Sequence, residues 1–251
     1  MNIAVCVKQV PDTASQLKIS KDNKSIDENG IKYEINPFDE YALEEALRLK
    51  DNDSTINITV ISLGPERVKQ SLTKTLAMGA DEALHIQTDE IIEDCMNIAT
   101  IIANEIKKNQ YDLILFGKKS VDQDNNQVGI IIGELNNISC ISNCSEFRIE
   151  SNKIIANREV EGSVEVFESE LPVIITHEKG KNELRYPSLK DLMAAKKKPI
   201  NTIKNEANKD KRSELIKLEY PEKREEGVII GEDKSAVTEL VRILREDKKI
   251  I

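Results

Sequence analysis

Short apolar runs and amphipathic stretches alternate along the first 138 residues of the chain. The runs are rich in Ile, Val and Leu, which is typical of strands buried on both faces of a parallel sheet. The stretches between them place apolar residues at helical spacing. The pattern predicts strands at 2–7, 56–63, 83–86 and 113–116, and helices at 37–50, 66–77, 90–107 and 127–135. Strand and helix alternating in this way indicate an α/β fold with a doubly wound, mostly parallel sheet.

Two features flank the first helix. Residues 17–35 alternate weakly around turn signals at Asp22-Asn23 and Asn29-Gly30, which predicts a β-hairpin there, after a loop at residues 8–12. Asn36 is suited to cap the helix, and Pro37 fits its first position. Acidic residues in the next turn favour the positive end of the helix dipole.

The pattern changes after residue 138. Short strands are predicted at 145–150, 153–156, 163–167 and 173–176, the first two as a hairpin turning at Ser151-Asn152, and all as extensions of the same sheet. From Lys196 the chain is polar, and residues 235–251 return to helical spacing. We therefore expect an α/β domain at 1–195 and a polar arm with a terminal helix at 196–251. The apolar stripe of that helix must be buried on its own domain or on a partner subunit.

Composition narrows the class of protein. The 251 residues carry 36 Lys and Arg against 45 Asp and Glu, a formal charge of −9, and there are nine aromatic residues with no Trp. An acidic chain with few stacking platforms is not expected to bind nucleic acid. Apolar runs are too short to span a bilayer, and no signal peptide is recognised, so we expect a cytoplasmic protein without direct membrane insertion. Four scattered cysteines and two histidines predict neither a disulfide framework nor a metal site.

Ligands of doubly wound sheets bind at the carboxyl ends of the strands, where strand order reverses. The candidates are therefore residues 6–10, 62–64 and 117–128. The last segment, GKKSVDQDNNQV, follows a strand and enters a helix expected to begin near Asn125 or Asn126. Its backbone N–H groups, Ser120 and Asn125 suit a phosphate. Asp122, Asp124 or Asn125 could instead only cap the helix. The two acids would also repel a phosphate unless they face away or bind ribose hydroxyls. Neither best-known glycine-rich phosphate motif is present.

No catalytic constellation is visible. His85 and His177 each lie in an apolar strand and are expected to be structural. No nucleophile elbow occurs, and no cysteine has an evident histidine partner. The residues alone therefore make the chain a candidate nucleotide-binding α/β protein with no visible active site.

Several segments resemble one known family, the beta subunits of electron transfer flavoproteins. These are VKQVPD at 7–12, INPFDEYALEEALRLKD at 35–51, TLAMGADEALHI at 75–86, GKKSVDQDNNQVG at 117–129, ANREVEGSVEVFESELPVIIT at 156–176 and RYPSLKDLMAAKKKPI at 185–200. The fifth is the most specific, with Arg158, Gly162, Glu165 and Pro172 as the family signature requires. Phe167 departs from it, where an aliphatic residue is usual.

The resemblance implies a Rossmann-like, adenine-nucleotide-binding fold and a role as an electron carrier subunit rather than an enzyme. Such a subunit pairs with an alpha subunit that holds most of one FAD. The heterodimer takes electrons from acyl-CoA dehydrogenases and similar flavoenzymes, as in fatty acid beta-oxidation, and passes them to a membrane-bound quinone reductase. The beta subunit usually holds a structural AMP. Carried over by position, its contacts are Cys6, Asn36, Pro37, Phe38, Asp39, Leu63, Gly117, Lys118, Lys119, Ser120, Val121, Asp122, Gln123, Asp124, Asn125, Asn126, Gln127 and Val128.

Two alternatives remain. In electron-bifurcating relatives a second FAD replaces AMP, but their loop tends to read Gly-Asp-Thr-Ala where this chain has residues 123–126, which favours AMP. ATP-cleaving enzymes of the same fold need a Gly/Ser-rich loop after the first strand, and residues 8–12 contain neither residue.

The loop after Thr176 anchors the partner dehydrogenase in the family, and Lys181 occupies the expected apolar anchor position. The polar arm resembles the extension that wraps around the alpha subunit.

Overall fold

A computed structural model describes residues 1–89, 92–205, 212–223 and 226–251. The chain divides into two compact units, Met1–Lys217 and Leu218–Ile251. The strands are β1 (Asn2–Cys6), β2 (Gln9–Pro11), β3 (Tyr33–Ile35), β4 (Asn57–Gly64), β5 (Glu82–Gln87), β6 (Leu113–Gly117), β7 (Ser139–Cys144), β8 (Glu146–Glu150), β9 (Lys153–Val160), β10 (Ser163–Glu170), β11 (Val173–His177) and β12 (Asn201–Lys204). The helices are α1 (Pro37–Asn52), α2 (Val68–Met78), α3 (Cys95–Lys108), α4 (Val128–Asn136), α5 (Leu189–Ala195) and α6 (Ser235–Arg242).

Seven strands form a central sheet in the order β12-β5-β4-β1-β6-β11-β7, and every neighbouring pair is parallel. The chain moves outward from β1 through β4 to β5, then crosses to β6 on the other side of β1. Strand order therefore reverses at β1. The predicted α/β fold with a doubly wound, mostly parallel sheet is confirmed.

Helices cover both faces of this sheet because successive residues of β1 point to opposite sides. Ile3 and Val5 join one buried cluster with α1 and α2, whereas Ala4 and Cys6 join a second with α3 and α4. The predicted apolar runs of the first 138 residues are thus buried on both faces, as a parallel sheet requires.

The predicted hairpin at 17–35 is wrong in its pairing. Tyr33–Ile35 pairs antiparallel with Gln9–Pro11, a segment expected to be a loop. Within 17–32 only one isolated bridge forms, between Ile19 and Ile26. The reason is burial, since Gln9 and Val10 are buried next to Ile35 while most side chains between Asp12 and Lys32 face solvent.

The prediction that the later strands extend the central sheet is confirmed for Val173–Thr176 and wrong for the others. The hairpin turning at Ser151-Asn152 is confirmed, but β8, β9 and β10 form a separate antiparallel sheet. Short connections let these strands pair with each other, whereas a parallel partner needs a longer crossover. β11 lies between β6 and β7, and the sequence of β7, SCISNC, carries too few apolar residues to be recognised as a strand.

Two more boundaries differ from expectation. Asn201–Lys204, placed in the polar arm, is the parallel edge strand beside β5. The helix expected at 90–107 begins at Cys95, where Asp94 caps it by accepting the backbone N–H of Asn97 at 2.8 Å. Asp94 also accepts the Ser213 hydroxyl at 2.7 Å, so residues beyond β12 belong with the core. Glu90, Ile91, residues 206–211 and residues 224–225, on which parts of these predictions fall, lie outside the described residues.

The unit Leu218–Ile251 contains α6, which continues as a π-helical turn over Ile243–Asp247. None of the residues of α6 is buried, and Val237, Leu240 and Val241 are exposed along it. No helix in the described part of the chain is long and apolar enough to cross a membrane.

A buried ion pair fastens the segment after β11 to α1. The Glu44 carboxylate is buried and accepts Arg185 Nε at 2.9 Å and Nη2 at 3.1 Å. Arg185 also reaches Asp51 at 2.7 Å, and both acids raise the pKa of its guanidinium. A buried carboxylate that loses its partner is destabilising because it remains without its hydrogen bonds.

We expect Arg185→Met to destabilise the fold by about 1–3 kcal/mol, since Glu44 would keep only Arg48 as a cationic partner. The measurement is the midpoint of urea unfolding. Arg148→Met is the matched control, because its partner Glu150 is exposed and its loss should cost less than about 0.5 kcal/mol. Equal midpoints for the two variants would contradict the prediction.

Candidate functional site

The carboxyl ends of β4, β1 and β6 lie side by side at the point where strand order reverses. The start of α1 and the 117–128 loop meet at this edge of the sheet. This is where doubly wound sheets bind ligands. The segments selected from the sequence are thus brought to one edge.

Asn36 ties α1 to the loop. It occupies the N-cap position and Pro37 follows at the first helical position, as predicted, but the Asn36 side chain makes no capping hydrogen bond. Its amide instead donates to the carbonyl of Lys119 at 2.9 Å and accepts the N–H of Val121 at 3.1 Å. The side chain that would cap the helix holds the loop backbone instead.

Asp39 bridges two strands from the first turn of α1. Its buried carboxylate accepts the backbone N–H of Lys8 at 2.7 Å and that of Gly117 at 3.0 Å. Burial raises the pKa of Asp39 to about 7, against the opposing effect of these hydrogen bonds. One side chain therefore fixes the ends of β1 and β6 relative to the helix.

Gly117 is required at the end of β6 by this close approach. A Cβ at this position would lie 2.3 Å from Asp39 Oδ1 and 2.6 Å from the carbonyl carbon of Phe38. Because the second atom is backbone, it cannot move aside cheaply. Only glycine lets α1 begin directly against the strand end.

The loop turns sharply before α4. Asp124 and Asn126 adopt positive φ angles of 59° and 49°, and the Asp124 N–H bonds the Ser120 carbonyl at 2.8 Å. These left-handed residues delay the helix, which begins at Val128 rather than at Asn125 or Asn126 as expected. Gln127 at the N-cap position makes no side-chain cap.

Both acids of the loop are paired with lysines. Asp122 lies 2.7 Å from Lys8 Nζ, and Asp124 lies 2.7 Å from Lys119 Nζ. The sequence predicts that these two acids repel a phosphate, and the positive charges of the lysines offset that repulsion. Lys8 lies within segment 6–10, which the strand-end rule selected, but sequence reasoning assigned its side chain no role in the site.

The remaining predicted contacts take several positions. Cys6 is buried in the sheet, and burial raises the pKa of its thiol. Leu63 is half-buried at the end of β4, two strands from β6, which is roughly 10 Å across the sheet. Asn125 contacts Cys95 Sγ at 3.2 Å, and Asn126 contacts Asn143 at 3.0 Å. Their side chains thus join the loop to α3 and to β7.

The donors at this edge are of the kinds that bind a phosphate group. The N-terminus of α4 has no side-chain cap, and Ser120 and Asn125 lie in the loop that leads to it. Backbone N–H groups at a helix start, a hydroxyl and an amide are groups that bind phosphate. Pro37 and Phe38 start α1 beside them, and Lys119 Nζ lies 6.0 Å from the Phe38 ring centroid.

The two histidines contact the strand ends of this edge, and Cys140 and Cys144 lie in β7. His177 is buried at the end of β11 with its Nε2 3.8 Å from Glu45, and its carbonyl accepts the Lys118 N–H. His85 is buried in β5 against the Gly64 carbonyl. Burial raises the pKa of Cys140 to about 11 and of Cys144 to about 12, so both thiols stay protonated near neutrality. No metal-binding group of side chains occurs among the residues that the structure describes.

Fold and site together define a doubly wound α/β protein with its candidate ligand edge built around β1. The family model for the electron transfer flavoprotein domain matches residues 24–208. The chain is 34% identical to the electron transfer flavoprotein subunit beta of Bacillus subtilis over the full length of both, and 32% identical to that of Homo sapiens over 98% of each. It is 39% identical to that of Megasphaera elsdenii over 81% of this chain and 78% of the relative. The chain belongs to the electron transfer flavoprotein family, among its beta subunits.

We expect Asp39→Asn to destabilise the fold by about 1–3 kcal/mol near neutral pH, because its NH₂ group would face a backbone N–H. The cost should be larger at pH 5 than at pH 8. In the wild type the folded pKa of about 7 lies above the ordinary value of 3.8, so stability falls as pH rises between them. The variant lacks this slope. The measurement is the free energy of unfolding at several pH values.

Asp22→Asn is the control for this pH dependence. Hydrogen bonding from Ser20 lowers the pKa of Asp22 below 3.8, so its contribution is complete above that value. The difference between this variant and the wild type should stay constant from pH 5 to 8. The same constancy for Asp39→Asn would contradict the assignment of a raised pKa.

Proposed function

We propose that this chain pairs with an alpha subunit and forms a heterodimeric electron carrier, with AMP at the edge around β1 and FAD held mainly by the alpha subunit. The observation that carries the AMP proposal is the geometry of the 117–128 loop. Asn36 fastens this loop to α1 by two hydrogen bonds. Both acids of the loop are neutralised by ion pairs, one with Lys8 and one with Lys119. Family membership supports the pairing and the flavin. The flavin supplies the electron chemistry, and this chain supplies position and electrostatics.

Three of the four cysteines are poor nucleophiles near neutrality. Removal from water raises the pKa of the thiols of Cys6, Cys140 and Cys144, and a protonated thiol reacts slowly. None of these three therefore offers a reactive group of its own, which agrees with a carrier subunit.

An exposed apolar surface on and just before α5 supports docking of a redox partner. Tyr186, Leu189 and Met193 recur at helical spacing, and Leu189 is 83% exposed. Lys181, in the nearby loop, is 86% exposed in its side chain and lies 3.9 Å from Glu146. We propose that acyl-CoA dehydrogenase-type donors and a quinone reductase acceptor use this apolar surface rather than Lys181 as the anchor.

The test is a cofactor count. The chain is expressed together with the alpha subunit from the same source, the purified complex is denatured, and released FAD and AMP are quantified by chromatography. One FAD and one AMP per heterodimer is the expected result. Two FAD and no AMP would replace the proposal by electron bifurcation, and no heterodimer would contradict the pairing.

A variant locates the AMP within the complex. Asn36→Ala removes both side-chain hydrogen bonds to the loop, so bound AMP should fall while FAD stays at one per heterodimer. Asn109→Ala is the matched control, because its amide bonds Glu105 at the end of α3, before β6 begins. Equal AMP in both variants would place the nucleotide elsewhere.

We further propose that the unit Leu218–Ile251 embraces the alpha subunit through the apolar residues of α6. Removing this unit should abolish co-purification with alpha while the remaining chain stays folded, because both buried clusters lie within residues 1–217. A cut at residue 200 would also remove β12. The measurement is the yield of heterodimer and the far-UV circular dichroism of the shortened chain.

Side-chain variants separate the apolar stripe from the length of the unit. Replacing Val237, Leu240 and Val241 by Ser should weaken the pairing as strongly as the truncation does. Thr238→Ala with Glu239→Ala should leave it intact. Full yield of heterodimer from the shortened chain would rule out the embrace.

A further inference from the structure

Lys8 holds the 117–128 loop by its side chain. Its Nζ lies 2.7 Å from one oxygen of Asp122 and 2.9 Å from the other, 3.1 Å from Gln123 Oε1 and 3.4 Å from Ser120 Oγ. Three side chains of one loop thus converge on a single ammonium group. The Lys8 and Asp122 side chains are 36% and 26% exposed, so water screens their pairing only in part.

The backbone of Lys8 is fixed independently of the loop. Its N–H donates to Asp39, and its carbonyl accepts the N–H of Asn36 at 2.9 Å. Asn36 in turn holds the backbone of Lys119 and Val121. Two residues therefore hold the loop. Asn36 bonds the backbone of the loop, and Lys8 bonds side chains of the loop.

The positive charge of Lys8 also affects how the loop would interact with a phosphate. Lys119 pairs with Asp124, and Lys118 pairs with Glu178 at 2.7 Å, so Asp122 depends on Lys8 for neutralisation. A phosphate approaching the start of α4 meets no unpaired carboxylate from this loop while Lys8 is in place. Without Lys8, the Asp122 charge would repel it.

We propose that Lys8 is a positioning residue for the nucleotide phosphate, acting through Asp122 by neutralising its charge. This inference rests on the proposed function, because it takes AMP as the ligand of this edge. It assigns Lys8 no contact with the nucleotide. The dependence on Asp122 is what separates it from a direct phosphate ligand.

The experiment compares Lys8→Gln with the double variant Lys8→Gln, Asp122→Asn in the complete heterodimer. After nucleotide is removed by dialysis, AMP affinity is measured by isothermal titration. Lys8→Gln should bind AMP about threefold to fivefold more weakly, the range expected for a partly exposed ion pair. The double variant should return to within about twofold of the wild type. Lys153→Gln is the control, since it breaks a pair with Glu168 on the separate antiparallel sheet.

Salt gives a readout that a merely structural role would not change. Raising NaCl screens the repulsion by Asp122, so the deficit of Lys8→Gln relative to the wild type should shrink. Unchanged affinity of Lys8→Gln, or failure of Asp122→Asn to restore it, would overturn the inference. If Lys8→Gln does not assemble, Asp122→Asn alone decides, because binding weaker than in the wild type would overturn it. A wild-type complex that binds no AMP would instead overturn the proposed function, and this inference with it.

Discussion

The Asp39 carboxylate is the constraint on which the candidate site depends. It accepts backbone N–H groups from the ends of β1 and β6 in a buried setting, where an unpaired donor would cost about 1–3 kcal/mol. Burial of the charge opposes this gain and raises the pKa of Asp39 to about 7. Gly117 completes the arrangement, since a side chain there would displace the helix. Because Asp39 fixes the start of α1 in this way, Asn36 at the same helix end reaches the 117–128 loop. The geometry of the loop therefore depends on the hydrogen bonds of Asp39.

Acidic residues in a proposed phosphate site present an apparent conflict that pairing resolves. Lys8 and Lys119 each neutralise one loop acid, at 2.7 Å in both cases. Pairs of this exposure contribute little to stability. Their larger effect is on the local potential, because neither Asp122 nor Asp124 faces the edge as an isolated charge. The helix start can then contribute its positive end to an anion without opposition from the same loop.

Burial on both faces explains how much of the fold could be predicted. Strands such as β1 and β6 read as continuous apolar runs, and the strand-end rule then selected the 117–128 loop and the start of α1. β7 and β12 were missed because edge and near-edge strands tolerate polar residues, as SCISNC and NTIK show. The strand-end rule selected the segment that contains Lys8 but not the role of its side chain, because that role depends on residues 112 to 115 positions away, which no local pattern encodes.

The residues that form the hydrogen bonds of the candidate site are different from the exposed apolar residues proposed to bind partners. The edge around β1 is held by buried hydrogen bonds, as a pocket must be if it is to keep one geometry through many binding cycles. Exposed apolar residues on α5 include Leu189 and Met193. Surfaces that bind partners reversibly need apolar area without deep insertion into their own core. In the proposed carrier, a partner that docks on Leu189 and Met193 leaves the hydrogen bonds of Asp39 and Asn36 in place, because neither apolar residue takes part in them.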